Sequence, residues 1–236
     1  MDRNLEFMAQ MPEEQLQVFV DTLIEKGGIT ETLSASEDYK EYGKNYSKYW
    51  HRIEKEYRDF GSNTITSIFS GPNTYREILE KVLKQCKVDF HSSDSVEVME
   101  ELLLESIIKD MWEKLSQSER IALLSDLKDD IDIIDFNSIG GITSSMLIQV
   151  FRAGGFASYK ITLIIVNAIA KAILGRGLSL AVNAGITRGL SVLVGPVGII
   201  LTALWTIYDI AGPAYRVIIP CTILIAAYRK MDSSNY

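Results

Sequence analysis

From about Ser138 onward, apolar residues occupy every helical face, and glycines cut the chain at intervals. Breaks at Gly140-Gly141, Gly154-Gly155, Gly175, Gly195-Pro196 and Gly212-Pro213 leave helix-length stretches near 141–153, 157–174, 177–194, 197–210 and 214–230. A helix that is apolar all round has no side to offer water, so each stretch must be covered by protein or by lipid. No other feature constrains the fold as much. The longest uncharged run, 189–208, has 20 residues, which just meets the roughly 20 apolar residues a bilayer span needs. Gly195-Pro196 in its middle works against one unbroken helix, although membranes tolerate such breaks where neighbouring helices cover the freed backbone.

Charge divides the chain at the same place. Residues 136–236 carry eight bases and two acids, a balance of +6, and 11 of the 16 glycines. Residues 1–135 carry 16 bases and 29 acids, a balance of −13. Two parts are therefore expected: an acidic amphipathic-helix domain, 1–135, packed on a glycine-rich, apolar, basic helical domain, 136–236. Lys160, Lys171, Arg176 and Arg188 stand among the apolar helices as candidate lipid-facing bases. A net acidic chain without a dense Lys/Arg patch argues against nucleic acid as a partner.

The first part reads as punctuated amphipathic helices. Pro12 suits a first helical position, Glu13 and Glu14 suit the positive end, and Leu16, Phe19, Val20, Leu23 and Ile24 recur at helical spacing up to Gly27. Trp50, Ile53, Tyr57 and Phe60 share a face that Gly61 is expected to close. Tyr75, Ile78, Leu79, Val82, Leu83 and Cys86 form one unbroken stripe. Asp94 with Glu97, and Ser116 with Glu119, have the spacing of capping pairs ahead of further helices. Nothing alternates with period two for long. The predicted class is all-α.

Gly177, Ala181, Gly185 and Gly189 recur every four residues, which puts them on one stripe of a helix. A stripe without bulk lets another helix approach closely, and small-xxx-small is a recurrent interface of membrane helices. The same ladder offers a contact between copies of the chain. Asp209 and Arg216 flank Gly212-Pro213 and are expected to form a structural ion pair, because burying either charge alone is costly.

The residues that chemistry would require do not assemble. Two cysteines, Cys86 and Cys221, and two histidines, His51 and His91, rule out a Cys-rich or His-rich metal motif. No phosphate-binding loop or dinucleotide fingerprint is present. Glu97, Glu101 and Glu105, with Glu100 beside them, read as a solvated helix face, and Tyr39, Tyr42, Tyr46, Tyr49, Trp50 and Tyr57 as a packed aromatic seam. No cofactor, metal or catalytic residue is expected. Asp2, Arg3 and Glu6 break up the apolar residues at the start, so a signal peptide is not expected and cytoplasmic residence is the default.

Two stretches resemble a known family. One comprises Tyr49-Trp50, Phe60-Gly61-Ser62-Asn63-Thr64, Gly71 and Tyr75-Arg76-Glu77-Ile78-Leu79. The other comprises Gly195-Pro196-Val197-Gly198, Leu204-Trp205-Thr206, Asp209-Ile210-Ala211-Gly212-Pro213-Ala214-Tyr215-Arg216-Val217 and Ile218-Ile219-Pro220. With the helices between them they resemble the bacterial YaaW-type family, largely uncharacterised and often labelled ubiquinol–cytochrome c chaperone-like. Ser62 stands where the pattern would have a second glycine. The resemblance implies a helical protein without an established enzymatic role.

The function expected from these features is non-enzymatic membrane association. The glycine-rich C-terminal helices would engage lipid or membrane proteins, with the chain peripheral to or inserted in the inner face of the membrane. The alternative is a soluble assembly chaperone or adaptor gripping a protein client through its acidic helix face or aromatic cluster.

Overall fold

The computed structural model describes residues 1–27, 33, 35–63, 73–131, 142–175 and 215–233. These form α1 (Glu13–Gly27), α2 (Glu37–Tyr42), α3 (Trp50–Asn63), α4 (Tyr75–Gln85), α5 (Val96–Lys114), α6 (Gln117–Leu127), α7 (Ser144–Ala153), α8 (Gly155–Leu174) and α9 (Tyr215–Ser233). Short 3-10 helices cover Arg3–Gln10, Tyr46–Tyr49 and Lys128–Asp130, and no strand occurs among the described residues. The protein is all-α.

Local chemistry sets the helix ends. Ser116 and Glu119 form the expected reciprocal capping box of α6, and Thr74 with Glu77 forms a second one at α4. Each box satisfies two backbone donors that the first helical turn would otherwise leave open. Asp94 behaves differently from expectation: its carboxylate accepts from the His91 N–H at 2.7 Å, while the Ser95 hydroxyl, one residue nearer α5, accepts from the Val98 N–H at 3.3 Å. Gly154 and Gly155 both have positive φ, 77° and 69°, which lets the chain turn between α7 and α8 at little steric cost. Gly175 ends α8 in the left-handed conformation, its N–H on the Lys171 carbonyl at 3.0 Å.

The chain forms two compact units, Met1–Leu103 with Leu204–Tyr228, and Leu104–Ala203 with Arg229–Tyr236. The boundary drawn at 135/136 from composition is contiguous in sequence; these units are not, because most of α9 belongs with the N-terminal helices.

In the first unit, Phe19 meets Trp50 and Tyr57 edge-on, with ring centroids 5.4 and 5.7 Å apart. Every residue from 217 to 228 on α9 is buried, so protein supplies the cover that this all-round apolar helix requires. Its polar atoms are answered there too: the Tyr57 and Thr222 hydroxyls bond at 2.8 Å, and the Tyr228 hydroxyl donates to the Gln15 carbonyl at 3.0 Å. Gly61 does not end α3, which runs on to Asn63. It sits inside the helix at a close crossing with Ile78 of α4.

In the second unit, α8 buries 13 of its 20 residues, and α7 contributes Leu147, Val150 and Phe151 to the core. Lys230 lies 4.6 Å from the centre of the Phe151 ring and Arg120 lies 5.0 Å from that of Trp112, both within cation–π range.

Candidate functional site

Seven of the ten packing, ion-pair and lipid-facing candidates lie outside the described residues. This holds for the whole ladder, Gly177, Ala181, Gly185 and Gly189, for Arg176 and Arg188, and for Asp209. Arg216 is exposed in the first turn of α9. Lys171 is exposed in the last turn of α8, where a cation complements the negative helix end. Lys160 is not a lipid-facing base. Its ammonium bonds the Asp130 carboxylate at 2.7 Å and the Asp126 carbonyl at 2.9 Å, and both side chains of the ion pair are largely buried. A lysine reaching into partly buried space needs such an answer to its charge.

The glutamate series on α5 is only partly a solvated face. Glu97 is exposed and Glu101 half-buried. Glu100 is buried and accepts from the Tyr75 hydroxyl at 2.7 Å. Glu105 is also buried and takes a two-pronged contact from Arg152, one prong at 2.6 Å. The aromatic seam is packed over four of its six members: Tyr46, Tyr49, Trp50 and Tyr57 are buried, whereas Tyr39 is half-buried and Tyr42 is exposed. Their polar atoms also bond inward, Tyr49 to the Gly43 carbonyl at 2.7 Å and the Trp50 ring N–H to the Leu5 carbonyl at 2.9 Å. Burial pushes the Tyr46 phenol up to about 12 and that of Tyr57 well above its usual range. Both phenols therefore stay neutral at ordinary pH, and that of Tyr57 bonds the Thr222 hydroxyl.

One surface cleft collects charge that no sequence motif announced. It has a volume of about 460 Å³ and is lined by Met1, Asp2, Arg3, Asn4, Arg58, Thr74 and Arg76. Asp2 organises it. One carboxylate oxygen accepts from the Asn4 N–H at 2.9 Å, capping the first 3-10 helix, and the other accepts from the Tyr75 N–H at 2.7 Å, at the start of α4. The Asp2 N–H in turn donates to the buried Glu54 at 3.1 Å. Glu54 also holds Arg58 through its Nε, while Arg58 Nη1 reaches the Asn73 carbonyl at 3.4 Å. Arg76 is spread over Glu80 at 3.1 Å and the Asp94 and Ser92 carbonyls at 2.8 Å each. The three arginines come from three separate elements, so only folding brings them together. Among the described residues no group of three His, Cys, Asp or Glu side chains is placed to hold a metal ion.

The described residues define an all-α protein. A curated relative from Helicobacter pylori (strain J99), named "UPF0174 protein", is 38% identical and aligns with 99% of this chain and 94% of its own length. A second protein of that name from the same strain is 30% identical over 86% of this chain and 98% of itself. "UPF0174 protein YaaW" of Escherichia coli K12 is 27% identical over 99% of this chain and 96% of its length. The chain belongs to the UPF0174 family. None of these three names carries the chaperone-like label. No family model and no solved structure matches the chain.

Proposed function

We propose that this is a non-enzymatic, membrane-associating helical protein whose apolar C-terminal helices engage lipid or membrane proteins. The observation that carries the reading is α8. Its 20 residues, Gly155–Leu174, make it the one helix among the described residues long and apolar enough to cross a membrane. At 1.5 Å per residue it extends about 30 Å, the thickness of a bilayer's hydrocarbon core. Phe156, 37% exposed, stacks on Tyr159 at its start, and Lys171 is exposed near its end, an order of side chains that suits an interface. Most of the helix is buried in protein, as a core helix of a soluble protein also would be. The reading is therefore of a sheltered apolar element that engages the membrane when the protein meets one.

The adaptor reading has less support, since Glu100, Glu105 and most of the aromatic seam are engaged internally. Flotation with vesicles containing anionic lipid tests the proposal. Co-flotation that weakens with salt is expected, and a protein left in the soluble fraction at both low and moderate salt would overturn it.

A further inference from the structure

We infer that the arginine-lined cleft at the start of α4 binds the phosphate group of a small phosphate ester. The cleft juxtaposes Arg3, Arg58 and Arg76, and its volume of about 460 Å³ lies within the range of small-molecule sites, roughly 300–1,000 Å³. It therefore has room for a phosphate with a short organic group.

The donors differ in how far the protein has already used them. Arg76 is committed through Nε and both Nη atoms. Arg58 is held at Nε by buried Glu54 and touches Asn73 with Nη1, and its Nη2 has no hydrogen-bond partner among the described residues. Arg3 is exposed and has no polar partner among the described residues. A guanidinium fixed at one edge presents a preorganised fork to a second group, and the planar fork matches two phosphate oxygens. Arg3 lines the same cleft and is exposed, so it offers a second guanidinium to the same anion.

Asp2 bears on which anion fits. Its carboxylate occupies the positive end of α4 through the Tyr75 N–H, and Glu77 takes the Thr74 N–H. The helix terminus is thus already satisfied from within the chain, and recognition falls to the guanidinium groups.

Free phosphate esters and phospholipid headgroups share this chemistry, and the test separates them. The full chain is titrated with glycerol 3-phosphate by calorimetry near physiological salt, and in parallel with vesicles of phosphatidylglycerol or phosphatidylcholine. Arg3→Gln and Arg58→Lys are compared with Lys109→Gln, an exposed base outside the cleft. Loss of one charge-assisted fork weakens binding by about ten-fold or more, so both cleft variants should lose affinity while Lys109→Gln keeps it. Saturable binding of the soluble ester with this pattern supports a free ligand. The same pattern seen only with phosphatidylglycerol assigns the headgroup.

The proposal is overturned if neither probe binds, or if binding is indifferent to Arg3→Gln. Should Arg58→Lys fail to fold, Arg3→Gln alone decides, since Arg3 is exposed and has no polar partner among the described residues. The soluble arm stands apart from the membrane reading. Vesicle binding that ignores Arg3 would sink the cleft and leave that reading intact.

Discussion

Gly61 offers the most direct test of the packing, because the structure specifies what a single methyl group would meet. A Cβ added there would lie 2.8 Å from Cδ1 and 3.0 Å from Cγ1 of Ile78, and 3.5 Å from Cδ1 of Ile218. Carbon atoms pack best at roughly 3.5–4.0 Å, so the Ile78 side chain must give way. It has little room, since Ile78 is 1% exposed and Ile218 3%. Two terms oppose each other in Gly61→Ala. Helix propensity improves by about 1 kcal/mol, while overpacking a filled core costs about 1–3 kcal/mol. Packing wins, with a net loss on the order of 1 kcal/mol.

The sharper reading comes from a double-mutant cycle. Ile78→Val removes the Cδ1 atom that makes the closer contact, at a cost of about 0.5–1.5 kcal/mol by itself. With that atom gone, the added methyl loses its worst neighbour and retains its gain in propensity. The double variant should therefore be less destabilised than the sum of the single ones, by about 1 kcal/mol of coupling. Urea unfolding with fitted midpoints and slopes measures each corner of the cycle. Strict additivity, or a Gly61→Ala protein more stable than the parent, would refute a close α3–α4 crossing at this glycine.

Glu77 should give α4 an acid-labile end. Hydrogen bonds from the Thr74 backbone and hydroxyl hold its carboxyl below the ordinary 4.5, so its stabilisation is complete above that value and is lost as pH falls through the lowered one. Glu77→Gln should destabilise the protein at neutral pH and progressively less below pH 4.5, read from urea midpoints; a difference independent of pH would contradict the capping box. The two thiols should also separate. Cys221 is fully buried and burial raises its thiol well above 9.0, whereas Cys86 is partly exposed. A disulfide-exchange reagent at mildly alkaline pH should titrate one thiol promptly and the second only on unfolding, and two prompt equivalents would show that α9 is not enclosed.

The helical class and many helix ends were legible because they depend on neighbours in sequence. The stripe from Tyr75 to Leu83 became the buried face of α4, and Ser116 with Glu119 made the box their spacing allows. The punctuation at Gly154-Gly155 and Gly175 also held, since positive φ at these positions is a local property of glycine. Gly61 misled for the same reason. A glycine at the end of an apolar stripe has the local signature of a stop, and only the approach of Ile78 shows that it serves a crossing.

The sequence by itself determined periodicity, caps, breaks and the requirement that the apolar helices be covered. Tertiary structure decided what covers α9, which carboxylates leave the water and where the arginines gather. Glu97 and Glu105 sit two turns apart on one helix, yet one is exposed and the other is closed by Arg152, 47 residues away along the chain. Arg3, Arg58 and Arg76 share a cleft through Asp2, whose carboxylate joins the first turn of the chain to Tyr75, 73 residues on. Burial and charge pairing belong to positions in space, and a linear pattern carries them only where the partners lie within a turn or two of each other.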